Sequence, residues 1–141
     1  MTNDTIKTVI WVNSAKEELL EFPEDVIDEI GYILYRVQTN QTHPKIKPLK
    51  GFNGVFEIRN NYQTDTYRTI YAIKIDDTVY VLHAFKKKSP KGIKTPQQTI
   101  DLIQQRLQTA IQISQTRESW DQDYVRLYNQ FWEHISRFRI C

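Results

Sequence analysis

Cysteine is almost absent from this sequence, which has a single copy, Cys141, among 141 residues. One cysteine excludes a disulfide framework and a cysteine-based metal site. Long apolar runs are missing as well, since no window approaches the roughly 18 consecutive apolar residues of a membrane span. The opening stretch MTNDTIKTVIWV has neither the basic region nor the apolar stretch of a signal peptide. We therefore expect a cytoplasmic protein without membrane attachment.

Glycine is also scarce, with four copies, and the segment Gly51–Gly54 lacks the pattern of a phosphate-binding glycine loop. The histidines His43, His83 and His134 lie far apart in the sequence, and no paired acidic motif accompanies them. This spacing argues against a zinc site. No arrangement of a serine or cysteine nucleophile is visible. We expect neither a metal nor a cofactor.

Charge is distributed unevenly along the chain, although the net charge is only +2. Residues 1–42 contain 3 basic and 8 acidic residues, whereas residues 43–94 contain 11 basic and 4 acidic ones. A basic middle third indicates an anionic partner, of which nucleic-acid phosphate is the commonest. The alternative is a lysine-rich surface that only faces solvent.

Hydrophobic periodicity predicts an α+β domain. The predicted elements, in order, are a strand over Lys7–Val12, a helix after Ser14, a helix from Pro23 to Val37, a strand over Gly54–Asn60, a hairpin of Tyr67–Ile75 and Thr78–Phe85, and a helix from Pro96 through Ala110. Ser14 and Glu17 have the spacing of a capping box. The segment TNQTHPKIKP reads as a polar loop. We expect an N-terminal strand and two helices packed with a small antiparallel sheet, followed by C-terminal helices, all on one face of the sheet.

The C-terminal end of the sequence has a different character, and we divide the chain into a domain of residues 1–115 and an extension of residues 116–141. Apolar and aromatic residues recur there at helical spacing: Trp120, Tyr124, Leu127, Tyr128, Phe131, Ile135 and Phe138. Such a stripe usually marks a buried helix side, which predicts packing on the domain or self-association with a second copy. The alternative is a docking surface or a cover over the functional site.

The hairpin brings the strongest candidate site residues together. A two-residue turn at Asp76-Asp77 predicts the pairs Ile75–Thr78, Ala72–Val81, Ile70–His83 and Arg68–Phe85. On this register one face of the hairpin would carry Arg68, Ile70, Lys74, His83 and Phe85. Lys86, Lys87 and Lys88 follow beside them. On the preceding strand, alternation puts Glu57 and Arg59 on one side, but their register relative to the hairpin stays open.

These residue types fit the cleavage of RNA without metal. That reaction needs a base for the 2′-hydroxyl, positive charge around the phosphorus, and an acid for the leaving 5′-oxygen. Arginine supplies charge in a two-pronged geometry, and histidine or a crowded lysine can exchange protons near neutral pH. The alternative is a hydrogen-bonded structural histidine beside a solvated loop.

Three stretches resemble the phage-derived HigB-like branch of the RelE/ParE toxin superfamily. They are LKGFNGVFEIR (Leu49–Arg59), YRTIYAIK (Tyr67–Lys74) and VYVLHAFKKKSPKGIKTP (Val79–Pro96). The resemblance covers roughly residues 7–113. It implies a RelE-like fold and a cytoplasmic toxin that is neutralised by a small helix-turn-helix antitoxin. The implied activity is metal-independent cleavage of mRNA on the ribosome.

The resemblance also implies roles for individual residues. Arg68 matches the arginine that holds the scissile phosphate in RelE-type toxins, and Arg59 matches a basic position of the preceding strand. Glu57 departs from the lysine of RelE. The late arginine of RelE-type toxins falls at Lys86–Lys88, whereas the tyrosine that follows it has no counterpart, so His83 is the expected proton carrier. The residues expected to bind the RNA backbone are Lys45, Lys47, Lys50 and Lys91.

Two other functional classes stay open from the sequence. A ParE-like protein would share the fold but inhibit DNA gyrase, and it would need no proton carriers. A non-catalytic module that binds nucleic acid or a protein partner would explain Glu57 beside the cations and the aromatic tail.

Overall fold

The structure is a computed structural model that describes residues 6–87 and 96–117. These residues form five strands and three helices: β1 (Thr8–Trp11), α1 (Ala15–Leu20), α2 (Glu24–Gln38), β2 (Ile46–Pro48), β3 (Val55–Tyr62), β4 (Asp65–Ala72), β5 (Thr78–Lys87) and α3 (Gln97–Arg117). The predicted α+β class is confirmed. No helix in the described ranges combines the length and apolarity needed to cross a membrane.

The strands form one sheet in the order β1-β5-β4-β3-β2. β1 runs parallel to β5, and the other neighbours are antiparallel. The edge strand β2 lies in the segment that the sequence indicated to be a loop. A strand of three residues that ends in Pro48 shows no alternation, and proline is tolerated there because the strand is at the edge.

Helices cover both faces of the sheet. α1 and α2 pack on one face in a cluster that includes Leu19 and Val81, whereas α3 packs on the other in a cluster that includes Ile103 and Leu82. Because Val81 and Leu82 are consecutive on β5, they point to opposite faces. The expectation that all helices share one face is therefore wrong for α3. Apolar spacing identifies the buried side of a helix but not the sheet face that it meets.

The register of β4 and β5 agrees with the prediction at one end only. Arg68 lies opposite Phe85 and Ile70 opposite His83, as predicted, but Ala72 lies opposite Tyr80 instead of Val81. A bulge causes this shift, and β4 ends at Ala72, so the connection to β5 is longer than a two-residue turn. Lys74, with φ of 75°, belongs to this connection and does not share the strand face with Arg68.

The starts of the first two helices differ slightly from the prediction. Ser14 precedes α1, but its hydroxyl donates to the Glu18 carboxylate at 3.0 Å and caps no backbone N–H group. The capping box with Glu17 is therefore not formed. α2 begins at Glu24, and Pro23 is its N-cap residue.

The boundary at residue 115 falls inside α3, which extends to Arg117. The aromatic stripe of the extension lies outside the described residues, and its predicted packing stays a prediction.

Candidate nucleic-acid interface

Two arginines lie side by side at the centre of the sheet. Arg59 on β3 is directly opposite Arg68 on β4. Glu57, two positions before Arg59, points to the same face, and its Oε2 lies 3.2 Å from Arg68 Nε and 3.3 Å from Arg59 Nε. Because Glu57 is only 4% exposed, one buried carboxylate holds both guanidinium groups in place.

These three side chains line a groove of about 770 Å³, which we call the arginine groove. Its lining residues are Lys47, Pro48, Leu49, Lys50, Gly51, Glu57, Arg59, Arg68, Lys87, Gln97 and Ile100. Lys47 on β2 is opposite Glu57, and the first turn of α3 forms another wall. Gly51, with φ of 90°, adopts a left-handed conformation that is unfavourable for residues other than glycine. The groove thus places five cationic side chains around a single carboxylate.

The surroundings of the groove shift the pKa of two of its cations. Burial lowers the pKa of the Arg68 guanidinium; the Glu57 carboxylate opposes this effect, and Arg59 adds to it. Burial also lowers the pKa of Lys87, and the positive charges of Arg68 and Arg59 lower it further. Arg68 still carries its charge at neutral pH, because arginine titrates far above that range. Lys87 therefore releases its proton more readily than an isolated lysine.

The sheet register separates the consecutive lysines at the end of β5. Lys87 pairs with Thr66 and shares the face of Arg68, whereas Lys86 pairs with Tyr67 and points to the opposite face. There, Lys86 Nζ lies 3.7 Å from Asp65 Oδ2. Of the two described lysines in this run, the structure brings Lys87 to the arginines and places Lys86 on the other face. Lys88 and Lys91 lie outside the described residues.

His83 belongs to a different cluster. Its Nδ1 lies 2.8 Å from Glu18 Oε1, which also accepts hydrogen bonds from Arg106 Nη1 and from the Ala84 backbone N–H group. Arg106 in turn donates to the Leu82 carbonyl at 2.9 Å. Glu18 and Arg106 thus satisfy the backbone of β5 beyond the end of β1. The structure does not place His83 among the residues that line the arginine groove.

The pKa values of His83 and Glu18 are both lowered in this cluster. Burial lowers the pKa of His83, and the hydrogen bond to Glu18 offsets only part of that effect. Burial alone would raise the pKa of Glu18, but its hydrogen bonds to Arg106 and His83 outweigh burial and lower it. The neutral imidazole beside an ionised carboxylate is therefore the favoured state, with Nδ1–H as the donor.

Lys45 also lies apart from the groove lining, whereas Lys47 and Lys50 belong to it. Lys45 Nζ donates to Glu29 of α2, whose other oxygen accepts from the Asn60 amide. The side chain of Lys45 is therefore engaged on the α2 side of the sheet.

Sequence reasoning missed two features of this arrangement. Alternation correctly put Glu57 and Arg59 on one strand face, but nothing in the pattern showed that the carboxylate is buried between two arginines. The partner of His83 was missed too. Its signal was Arg106, a charged residue three positions after Ile103 and four before Ala110 on the buried side of a helix. Such a position calls for a buried carboxylate.

No cluster of three histidine, cysteine or acidic side chains suited to a metal ion occurs in residues 6–87 and 96–117.

Comparison with known proteins identifies a family. No curated protein matches the chain. Among solved structures, the chain is similar to a protein in the crystal structure of the toxin–antitoxin complex RelBE2 from Mycobacterium tuberculosis, with 21% identity, a TM-score of 0.43, and coverage of 62% of this chain and 100% of that one. Residues 17–108 match the family described as phage derived protein Gp49-like (DUF891). This match spans more than half of the chain and confirms the phage-derived branch predicted from the sequence. The chain belongs to the Gp49-like family of phage-derived proteins.

Proposed function

We propose that this protein is a RelE-like toxin of a toxin–antitoxin pair and that it cleaves mRNA on the ribosome without a metal ion. The observation that carries this proposal is the pair of adjacent arginines, Arg59 and Arg68, in a groove that also holds Lys87. Two guanidinium groups side by side suit the oxygens of one phosphate. The lysines Lys47 and Lys50 on the groove wall suit the neighbouring phosphates of a single strand.

The chemistry divides among these residues. Arg68 and Arg59 bind the scissile phosphate and stabilise the negative charge that grows on its oxygens as the 2′-oxygen attacks. Lys87 donates a proton to the 5′-oxygen as the P–O5′ bond breaks. Its lowered pKa suits this role, because a general acid works best when its pKa approaches the working pH. The products are a 2′,3′-cyclic phosphate and a free 5′-hydroxyl group.

Three residues predicted from the sequence stay outside this mechanism. His83, Lys45 and Lys86 each contact a carboxylate away from the groove lining. We propose that these residues stabilise the fold, and that a small antitoxin of the kind implied by the sequence resemblance neutralises the toxin.

The test is induced expression in a bacterial host of the wild type, Arg68→Ala and Lys86→Ala, with growth and the 5′ ends of cellular mRNA followed together. We expect wild type and Lys86→Ala to arrest growth and create new mRNA ends within reading frames. Arg68→Ala should lower cleavage by about 10²–10³-fold, the loss typical of one group that stabilises transition-state charge. Arrest without new mRNA ends would instead support inhibition of gyrase. Absence of both effects in the wild type would contradict the proposal.

A further inference from the structure

Glu57 is a carboxylate in a position where cations alone would bind phosphate best. Among the described residues that line the arginine groove it is the single acidic one, and it is 4% exposed. Burying an ionised carboxylate costs several kcal/mol before its partners compensate. A negative charge 3.2 Å and 3.3 Å from the two guanidinium nitrogens also competes with a bound phosphate. A groove that only bound RNA would gain affinity from a neutral residue here.

We propose that Glu57 is the proton acceptor of the cleavage reaction, an inference that rests on the function proposed above. The two arginine nitrogens that contact Glu57 Oε2 are the groups assigned to the scissile phosphate. The attacking 2′-hydroxyl belongs to the ribose that carries this phosphate on its neighbouring carbon. A phosphate bound by Arg59 and Arg68 would lie next to the carboxylate that contacts both of them, and the hydroxyl of the same ribose would lie on the side of a proton acceptor, as general base catalysis requires.

The 2′-hydroxyl proton passes to a carboxylate oxygen of Glu57 while the 2′-oxygen forms a bond to phosphorus. The P–O5′ bond breaks, and the leaving 5′-oxygen takes its proton from the Lys87 ammonium group. Glu57 ends neutral and Lys87 ends neutral, so exchange with water restores both groups. No oxidant, reductant or metal takes part.

The two arginines give Glu57 opposite environments before and during the reaction. In the free protein both guanidinium groups contact Oε2 of the carboxylate, the kind of oxygen that would accept the proton. When a phosphate enters, the guanidinium groups turn toward its oxygens, and a second negative charge then lies beside the carboxylate. Two neighbouring negative charges, the phosphate and the carboxylate, favour protonation of one of them, which promotes proton transfer from the 2′-hydroxyl. The acid, Lys87, approaches from β5 and the base from β3.

The first test separates binding from chemistry in the full-length protein. Single-turnover cleavage is measured on an mRNA bound to ribosomes and, in parallel, on the same sequence as a free oligonucleotide. Binding is measured with an oligonucleotide that carries a 2′-O-methyl group at the cleaved nucleotide. We expect Glu57→Gln to cleave about 10²–10⁴-fold more slowly, the range of a lost general base, and to bind the methylated RNA as tightly as the wild type or more tightly. Glu29→Gln, which changes a carboxylate outside the groove lining, is the matched control and should cleave normally.

A second test identifies the proton that is lost. An RNA in which sulfur replaces the leaving 5′-oxygen needs no acid, because a thiolate leaves unprotonated. On this substrate we expect the defect of Lys87→Ala to disappear and that of Glu57→Gln to remain.

Three results would overturn the inference. Cleavage by Glu57→Gln at or above the wild-type rate would mean that the carboxylate only restrains the arginines. Parallel losses of RNA binding and melting temperature in Glu57→Gln, with no cleavage by a folded Glu57→Asp, would mean that Glu57 is only structural. A wild type that cleaves no RNA would overturn the proposed function as well, whereas an active wild type with an inactive Arg68→Ala would leave that function standing whatever Glu57 does.

Discussion

Lys87 lies where two guanidinium groups and one carboxylate act on its ammonium group together. Burial and the charge of Arg68 lower its pKa, and Glu57 raises it. The effect of a neighbouring charge on the Lys87 pKa requires that charge to be present nearby. Substitution of the charged residue therefore removes the effect. A lysine in this setting is tuned by its neighbours, and each neighbour moves the pKa in a known direction.

We predict opposite shifts of the Lys87 pKa for two substitutions. Arg68→Gln removes a positive charge and should raise the Lys87 pKa, whereas Glu57→Gln removes a negative charge and should lower it. NMR titration of labelled lysine side chains measures both. Arg36→Gln, a change on α2 outside the groove lining, is the control and should leave the Lys87 pKa unchanged. Shifts of the same sign in both groove variants would contradict this electrostatic explanation.

Single residues also show where sequence reasoning reaches its limit. Strand alternation and the hairpin placed Arg59, Glu57 and Arg68 correctly relative to their own strands. The register of β3 against β4, which makes Arg59 and Arg68 direct neighbours, depends on a turn that the sequence did not define. The contact of His83 with Glu18 joins residues 65 positions apart, and no local pattern encodes such a distance.

At the level of elements, the edge of β5 illustrates how side chains replace a missing strand. β1 pairs with β5 only as far as Val81. Beyond that point Glu18 of α1 accepts from the Ala84 N–H group, and Arg106 of α3 donates to the Leu82 carbonyl. Two helices on opposite faces of the sheet are therefore joined through one strand edge. An unsatisfied edge at this position would expose buried backbone groups and invite pairing with another chain.

Arg106→Ala should destabilise the fold by about 3 kcal/mol, because it removes the side-chain donor to the buried Leu82 carbonyl and the cationic partner of Glu18. Urea unfolding followed by circular dichroism gives the change in the free energy of unfolding. Gln104→Ala, an exposed change on the same helix, should stay within about 0.5 kcal/mol of the wild type. Equal effects of the two substitutions would show that the cluster contributes little.

The same cluster predicts sensitivity to acid. His83 has a folded-state pKa below its ordinary value of 6.5, so the unfolded chain takes up the proton first and stability falls as the pH drops through that value. Glu18 has a folded-state pKa below 4.5, so its contribution is present above pH 4.5 and is lost as the pH falls through the folded value.

Urea unfolding at stepped pH should therefore show a decline in stability that begins below about pH 7 and continues into the acid range. His83→Gln should remove the upper part of the decline, and His43→Gln should not. A wild-type stability that stays constant from pH 7 to pH 5 would refute the assignment.

Several elements were predictable because they carry their own signals, among them the two N-terminal helices and strands β3, β4 and β5. β2 was not, since three residues ending in proline show no period. The sequence also did not predict the placement of α3 on the second face, since both faces of the sheet are apolar and the apolar side of the helix could pack on either one. The bulge near Leu82 was not predicted, because a two-residue turn with no bulge already gives the correct partners for Arg68 and Ile70.

For the whole molecule, the uneven charge of the sequence becomes a difference between two faces. The exposed acidic residues of α1, α2 and the turn between them include Glu17, Glu21, Glu24, Asp25 and Asp28, and both helices lie on the face opposite α3. The arginine groove is lined in part by α3. On the proposed function, this difference would attract an RNA strand to one face and repel it from the other, which would orient the protein before contact.

This polarity predicts the salt dependence of RNA binding. Each phosphate neutralised in a single strand contributes a slope of about −0.7 in a plot of the logarithm of the binding constant against that of salt concentration. Replacing both Lys47 and Lys50 by glutamine should weaken binding and reduce the slope by about 1.4. Fluorescence anisotropy of a labelled 2′-O-methyl RNA from 50 to 300 mM salt, about the range where such slopes are measured, provides the values.

Lys45→Gln is the control for this measurement, since its ammonium group contacts Glu29. A reduction of the slope by Lys45→Gln as large as that of one groove lysine would favour the original expectation that Lys45 contacts RNA.

The parallel pairing of β1 with β5 has a consequence for the order in which the protein is made. Thr8 has its partner, Thr78, seventy positions later in the chain. Long-range pairing of this kind is slow to form, because the intervening chain must be ordered first. The groove needs still later residues, Lys87 and the first turn of α3. A chain still being synthesised therefore cannot assemble its groove until most of its length has left the ribosome, so the timing of its own translation limits when the groove forms.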